Sequence, residues 1–137
     1  MATASLMLVE DNRDIRRALR DLFTLEGFDV HEAGNGREAL DRLDAGADPS
    51  MIVLDLMMPL MDGWEFLRHM QDRPERATPV VVLTSLAYEA DTSGLQQRYG
   101  VCVLDKSTEV VRLLEIARAH RVAMNDGVAP DPEPDAA

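Results

Sequence analysis

Glu10, Asp11, Asp55, Thr84 and Lys106 share one property: each stands at the carboxyl end of a short apolar run. The runs are Leu6–Val9, Met51–Leu54, Val80–Leu83 and Val101–Leu104. If the runs are neighbouring parallel strands, three carboxylates, a hydroxyl and an ammonium meet on one edge of a sheet. Carboxylates crowded in this way repel each other and hold protons unless a cation sits among them. Mg²⁺ suits such a set, because it takes oxygens from a few carboxylates and a phosphate and keeps several waters. No His or Cys is placed there to favour a softer metal.

With the cation in place, a carboxylate can attack phosphorus and become an aspartyl phosphate. Asp55 directly follows a fully apolar run and is the candidate nucleophile. Glu10 and Asp11, with Asp55 and the backbone carbonyl of Met57, are the candidate Mg²⁺ ligands. Lys106 would neutralise one phosphoryl oxygen and the Thr84 hydroxyl would hydrogen-bond another, since positioning and charge neutralisation supply most of the catalysis in phosphoryl transfer. Taken singly these residues have ordinary uses, such as capping a helix or facing water. Their joint occurrence at strand ends is what points to chemistry.

The elements that must position them alternate along the chain. Leu6–Val9 reads as a strand covered on both faces. Ile15, Leu19, Leu22 and Phe23 fall at helical spacing, and Gly27 closes that helix. Phe28-Asp29-Val30 reads as a second, more polar strand nearer a sheet edge. Asn35 followed by Glu38 is an N-cap pattern opening a helix through Ala39, Leu40 and Leu43. Met51–Leu54 is the third strand, and a loop from Met58 to Gly63 leads to a helix carrying Trp64, Leu67 and Met70. Val80–Leu83 is the fourth strand, followed by a helix over roughly Ala87 to Tyr99 that Gly94 weakens. Val101–Leu104 is the fifth, and a last helix runs from about Thr108 to Ala123. Five strands alternating with five helices predict an α/β fold: a doubly wound parallel sheet with helices on both faces. In such sheets the ligand site lies off the carboxyl ends of the strands.

The remaining numbers set limits. The chain of 137 residues is 46% hydrophobic, enough for one domain with its own core. That domain is expected over residues 1–124, and 125–137, an acidic Pro-rich stretch, is expected to be a disordered tail. The formal net charge of -11 argues against nucleic acid and against an anionic membrane surface as partners. The apolar run at Leu6–Val9 ends in Glu10-Asp11, which stops any signal peptide or membrane span, so a cytoplasmic protein is expected. Cys102 is the only cysteine; it sits in an apolar run and reads as a small hydrophobe. Trp64, Met58 and Met61 read as packing residues, and His31, His69 and His120 have no assigned role.

At this point the residues resemble the response-regulator receiver domains of two-component signalling, the CheY-like, flavodoxin-like fold. The resemblance covers about residues 5 to 122. It rests on Leu8-Val9-Glu10-Asp11-Asn12, Ala33-Gly34-Asn35-Gly36 with Glu38-Ala39-Leu40, Asp55-Leu56-Met57-Met58-Pro59 with Asp62-Gly63, then Thr84 and Lys106. It implies strand order 2-1-3-4-5 and Asp55 as phosphoacceptor. Glu10, Asp11 and the Met57 carbonyl become metal ligands, and a sensor histidine kinase or a phosphotransfer protein becomes the donor. Phosphorylation would then repack the surface of the fourth helix, fifth strand and fifth helix toward a downstream protein target. The expected molecule is a stand-alone switch, monomeric or weakly dimeric, that catalyses only its own phosphorylation and dephosphorylation.

Three positions depart from that pattern. Ser107 follows Lys106 where the family has proline after a cis bond; a non-proline cis bond costs about 3 kcal/mol, so a trans bond or a strained turn is expected. Val103 stands where many members carry an aromatic switch residue, and Ser85 stands in place of a frequent Ala. Tyr88 and Tyr99 lie near in sequence, with nothing to show that either substitutes for the missing aromatic. Other readings fit less well. A phosphohydrolase of the haloacid dehalogenase type would need an acid at Met57. A flavodoxin-like flavin site would need a phosphate loop where Glu10-Asp11 stand. A receiver-like scaffold without phosphorylation would not need Asp55, Thr84 and Lys106 intact.

Overall fold

The computed structural model describes residues 4–73, 78–85, 92–106 and 108–126. Strands and helices alternate throughout: β1 Ser5–Val9, α1 Arg13–Leu25, β2 Asp29–Ala33, α2 Gly36–Asp44, β3 Met51–Leu54, α3 Gly63–Gln71, β4 Val80–Thr84, α4 Thr92–Tyr99, β5 Cys102–Asp105 and α5 Val110–Asp126. The five strands form one parallel sheet in the order β2-β1-β3-β4-β5. Among the described residues no helix is long and apolar enough to cross a membrane.

Successive side chains of a strand point to opposite faces, and the two cores follow that alternation. Met7, Val9, Ile52, Leu54 and Val82 face α2 and α3 through Leu40, Leu43, Phe66 and Leu67, with Leu95 of α4. Leu6, Leu8, Met51, Val53, Val81 and Leu83 face the other way, onto Leu19 and Phe23 of α1 and Leu113 and Ile116 of α5. A slip of one residue in the register of any central strand would exchange the two sets and shift the polar residue at its end out of line with its neighbours. That register brings the ends of β1, β3, β4 and β5 level on one edge.

Three of the helices that begin on that edge carry a side-chain cap from the residue before them. Asn12 accepts the Ile15 N–H at 3.0 Å, Asn35 the Glu38 N–H at 2.9 Å and Asp62 the Glu65 N–H at 2.9 Å. Each such cap contributes about 1 kcal/mol. The box expected at Asn35 is half formed, because the Glu38 carboxylate pairs instead with Arg42 one turn on, at 3.2 Å.

Boundaries differ from expectation at β2 and α5. β2 runs from Asp29 to Ala33, because pairing with β1 extends from Ser5 opposite Asp29 to Val9 opposite Ala33. Phe28 precedes the strand and is buried edge-on against Phe23, ring centroids 5.9 Å apart, plugging the α1–β2 turn. α5 starts at Val110 and continues through Asp126, past Ala123. α4 is described from Thr92; residues 86–91, with Tyr88, lie outside the described residues, as do Ser107 and 127–137.

Candidate functional site

The end of β1 is built by backbone bonds from both neighbours. The Glu10 N–H donates to the Ala33 carbonyl at 3.0 Å, and the Asp55 N–H to the Val9 carbonyl at 3.0 Å. Glu10 and Asp55 are both buried, while Asp11 faces solvent. One carboxylate oxygen from each of the three lies within 4.8 Å of the others. Lys106 closes the group. Its N–H donates to the Thr84 carbonyl at 3.0 Å, and its ammonium sits 2.6 Å from Glu10 Oε1 and 3.4 Å from Asp55 Oδ2.

The electrostatics follow from burial. Loss of solvent pushes the Glu10 carboxyl up to about 7; the charge on Asp55 adds to this, while Lys106 and the Asn12 N–H oppose it. Burial likewise raises Asp55, against the pull of Lys106. Burial works against the Lys106 ammonium too, yet its bond to Glu10 and the charge on Asp55 outweigh this and raise it. Two buried carboxylates and one exposed carboxylate against a single ammonium leave a deficit of positive charge. An all-oxygen set with one side open to water fits a hard divalent cation that keeps part of its water shell.

Thr84 is fully buried at the end of β4, level with Asp105 of β5. Met57 stands two residues past Asp55, its N–H 3.4 Å from Asp55 Oδ1 and its side chain exposed. The loop beyond is held by close backbone approach. The Gly63 N–H donates to the Leu56 carbonyl at 2.9 Å, and a Cβ at Gly63 would stand 2.6 Å from the Asp55 carbonyl and 2.7 Å from Leu56 Cα. Within this loop Leu60 takes φ 67 and is exposed, while the Met61 N–H reaches back to the Pro59 carbonyl at 2.8 Å as a γ-turn. Val103 packs half-buried against the α2/α3 core, and Tyr99 does so from the end of α4 with Arg98 over its ring.

Sequence reasoning missed two supports. Arg16 donates to the Glu10 carbonyl at 2.9 Å and pairs with Glu32 at 3.2 Å. Asp105 and Glu109 bracket Lys106: Asp105 Oδ1 accepts the Thr108 N–H at 3.1 Å and Glu109 Oε1 accepts the Asp105 N–H at 2.8 Å. Neither the four-residue Asp105–Glu109 spacing, one longer than a capping box, nor an arginine on an amphipathic helix marks such a role in the sequence.

Fold and site together define an α/β switch domain with its acidic cluster at the carboxyl edge of the sheet. Residues 6–118 match the family model described as "Response regulator receiver domain", and the chain belongs to that family, the receiver domains of two-component response regulators. It is 30% identical over 119 residues to the polar-differentiation response regulator DivK of Brucella ovis, covering 86% of this chain and 96% of that one. It is 40% identical over 88 residues to the regulatory protein AtoC of Escherichia coli, covering 64% of this chain but only 18% of AtoC. The response regulator TrrA of Thermotoga maritima, solved in complex with Mg²⁺–BeF, superposes with a TM-score of 0.74. It is 25% identical, over 85% of this chain and 98% of TrrA.

Proposed function

We propose that the domain accepts a phosphoryl group on Asp55 in a Mg²⁺-dependent step and passes the change to a protein partner. The observation that carries this reading is the clustering of Glu10, Asp11 and Asp55 oxygens within 4.8 Å, with the Lys106 ammonium 3.4 Å from Asp55. TrrA's complex with Mg²⁺–BeF supports the same class of ligand here.

Glu10, Asp11, Asp55 and the Met57 carbonyl would hold the cation. When bound, Mg²⁺ neutralises the carboxylates and the phosphoryl oxygens between them. An Asp55 oxygen attacks phosphorus as the P–N bond of a phosphohistidine breaks, and the freed imidazole nitrogen takes a proton. Lys106 balances charge on one phosphoryl oxygen and Thr84 donates its hydroxyl to another. The donor is a sensor histidine kinase or a phosphotransfer protein, and the target meets the α4–β5–α5 surface. Val103 offers no aromatic switch, and Thr84 and Lys106 are the residues that would sense the phosphoryl group directly. In this reading residues 1–124 form the receiver, 125–137 an acidic tail, and the protein is a cytoplasmic monomer or weak dimer.

Intact-mass analysis after incubation with acetyl phosphate tests the assignment. A Mg²⁺-dependent gain of one phosphoryl group, absent in Asp55→Ala, is expected. Labelling of that variant at another residue would overturn the choice of Asp55.

A further inference from the structure

We infer that Arg16 is the positioning residue of the cation site, an inference that rests on the Mg²⁺ reading above. The β1 ladder ends at Val9, so the next peptide, joining Glu10 to Asp11, has no strand partner for its carbonyl. Arg16 Nη1 supplies the missing donor at 2.9 Å, while the Glu10 N–H is already tied to Ala33 at 3.0 Å. Both ends of Glu10 are therefore fixed. The Glu10–Asp11 peptide joins the Cα atoms that carry the two carboxylates, so fixing its plane limits how far they can swing relative to Asp55.

Arg16 is itself anchored. Its Nε bonds Glu32 Oε1 at 3.2 Å, and the other Glu32 oxygen takes Arg20 Nη1 at 3.4 Å. Both Arg16 and Glu32 are largely covered, with side chains 20% and 28% exposed. Pairing with Glu32 offsets the guanidinium charge, so Arg16 can bond the carbonyl beside the site with less repulsion of a divalent cation. The polar end of edge strand β2 thereby acquires a purpose: Glu32 holds the arginine, and Ala33 holds the Glu10 amide. Loss of a partner that orients a metal-holding group typically costs about 10–100-fold in affinity.

Arg20 provides the internal control. It shares Glu32 with Arg16, but its other bond goes to Asp21 and not to Glu10. Mg²⁺ is titrated into the purified full chain, following backbone amide shifts by NMR, after urea curves show each variant to be folded. Arg16→Ala is expected to weaken Mg²⁺ binding about tenfold, with Arg20→Ala within about twofold of wild type. Arg16→Lys, which keeps a donor for the Glu10 carbonyl, recovers most of the loss. Arg16→Met keeps the stem and its packing but no donor, and shows the full loss, so the comparison survives if the alanine variant does not fold. Wild-type affinity in Arg16→Met, or an equal loss in Arg20→Ala, would overturn the inference. Absence of a saturable response in wild type would instead overturn the cation site, and this inference with it.

Discussion

Without a divalent cation, the site should make the domain less stable as pH rises, and Glu10→Gln should remove much of that effect. Folded Glu10 keeps its proton up to about pH 7, whereas an unfolded glutamate gives it up near 4.5. The folded state therefore binds more protons across this window, and stability falls as pH climbs through it. From these two values, stability should drop by about 2–3 kcal/mol between pH 5 and pH 8 through Glu10 alone. Burial raises Asp55 in the same direction, so its effect has the same sign. Urea unfolding followed by circular dichroism in EDTA reads this as a midpoint lower by about 1–2 M. Glutamine mimics the protonated form, so Glu10→Gln should be the more stable protein at pH 8 and show a shallower slope. Saturating Mg²⁺ should return the wild type toward its low-pH stability, because it binds the ionised carboxylates of the folded state. A wild-type midpoint that is flat or rises from pH 5 to pH 8, or an unchanged slope in Glu10→Gln, would refute the reasoning.

Other outcomes follow from single contacts. Gly63→Ala places a Cβ 2.6 Å from the Asp55 carbonyl and should destabilise the domain by about 2–3 kcal/mol in chemical denaturation, with slower acetyl-phosphate labelling. Glu109→Ala removes the acceptor for the Asp105 N–H and should lower stability by about 1 kcal/mol, read as a shift of the urea midpoint. Leu60→Gly frees an exposed residue from positive φ and should leave stability unchanged or raise it by about 1 kcal/mol, measured in the same way. A loss of stability there would show that the leucine side chain has a partner.

The parts legible in advance are those where one residue property decides the outcome. β1 and β3 are runs of apolar residues buried on both faces, and their ends fall within one residue of expectation. Glu10, Asp11, Asp55 and Lys106 were legible for the same reason, because a strand that ends at a known residue also places the next one. β2 was legible only as an edge: its polar residues hide the period, and Phe28, which looked like strand, is a core plug. The supports of the site were not legible, since Arg16 and Glu32 meet only after α1 has packed beside β2. Asp105 and Glu109 likewise read as surface charges until the turn between them is folded.

Lys106, held between Glu10 and Asp55, is the only lysine in the 137 residues; every other formally cationic side chain is an arginine. Among these 137 residues side-chain amine chemistry therefore has one address, the ammonium at the heart of the site. Reductive methylation with ¹³C-formaldehyde would place a single side-chain isotope label there without any mutation, and its resonance would register each change of charge among the neighbouring carboxylates. The same scarcity shields the rest of the surface: lysine-directed crosslinkers and acetylating reagents can modify it at no other side-chain amine.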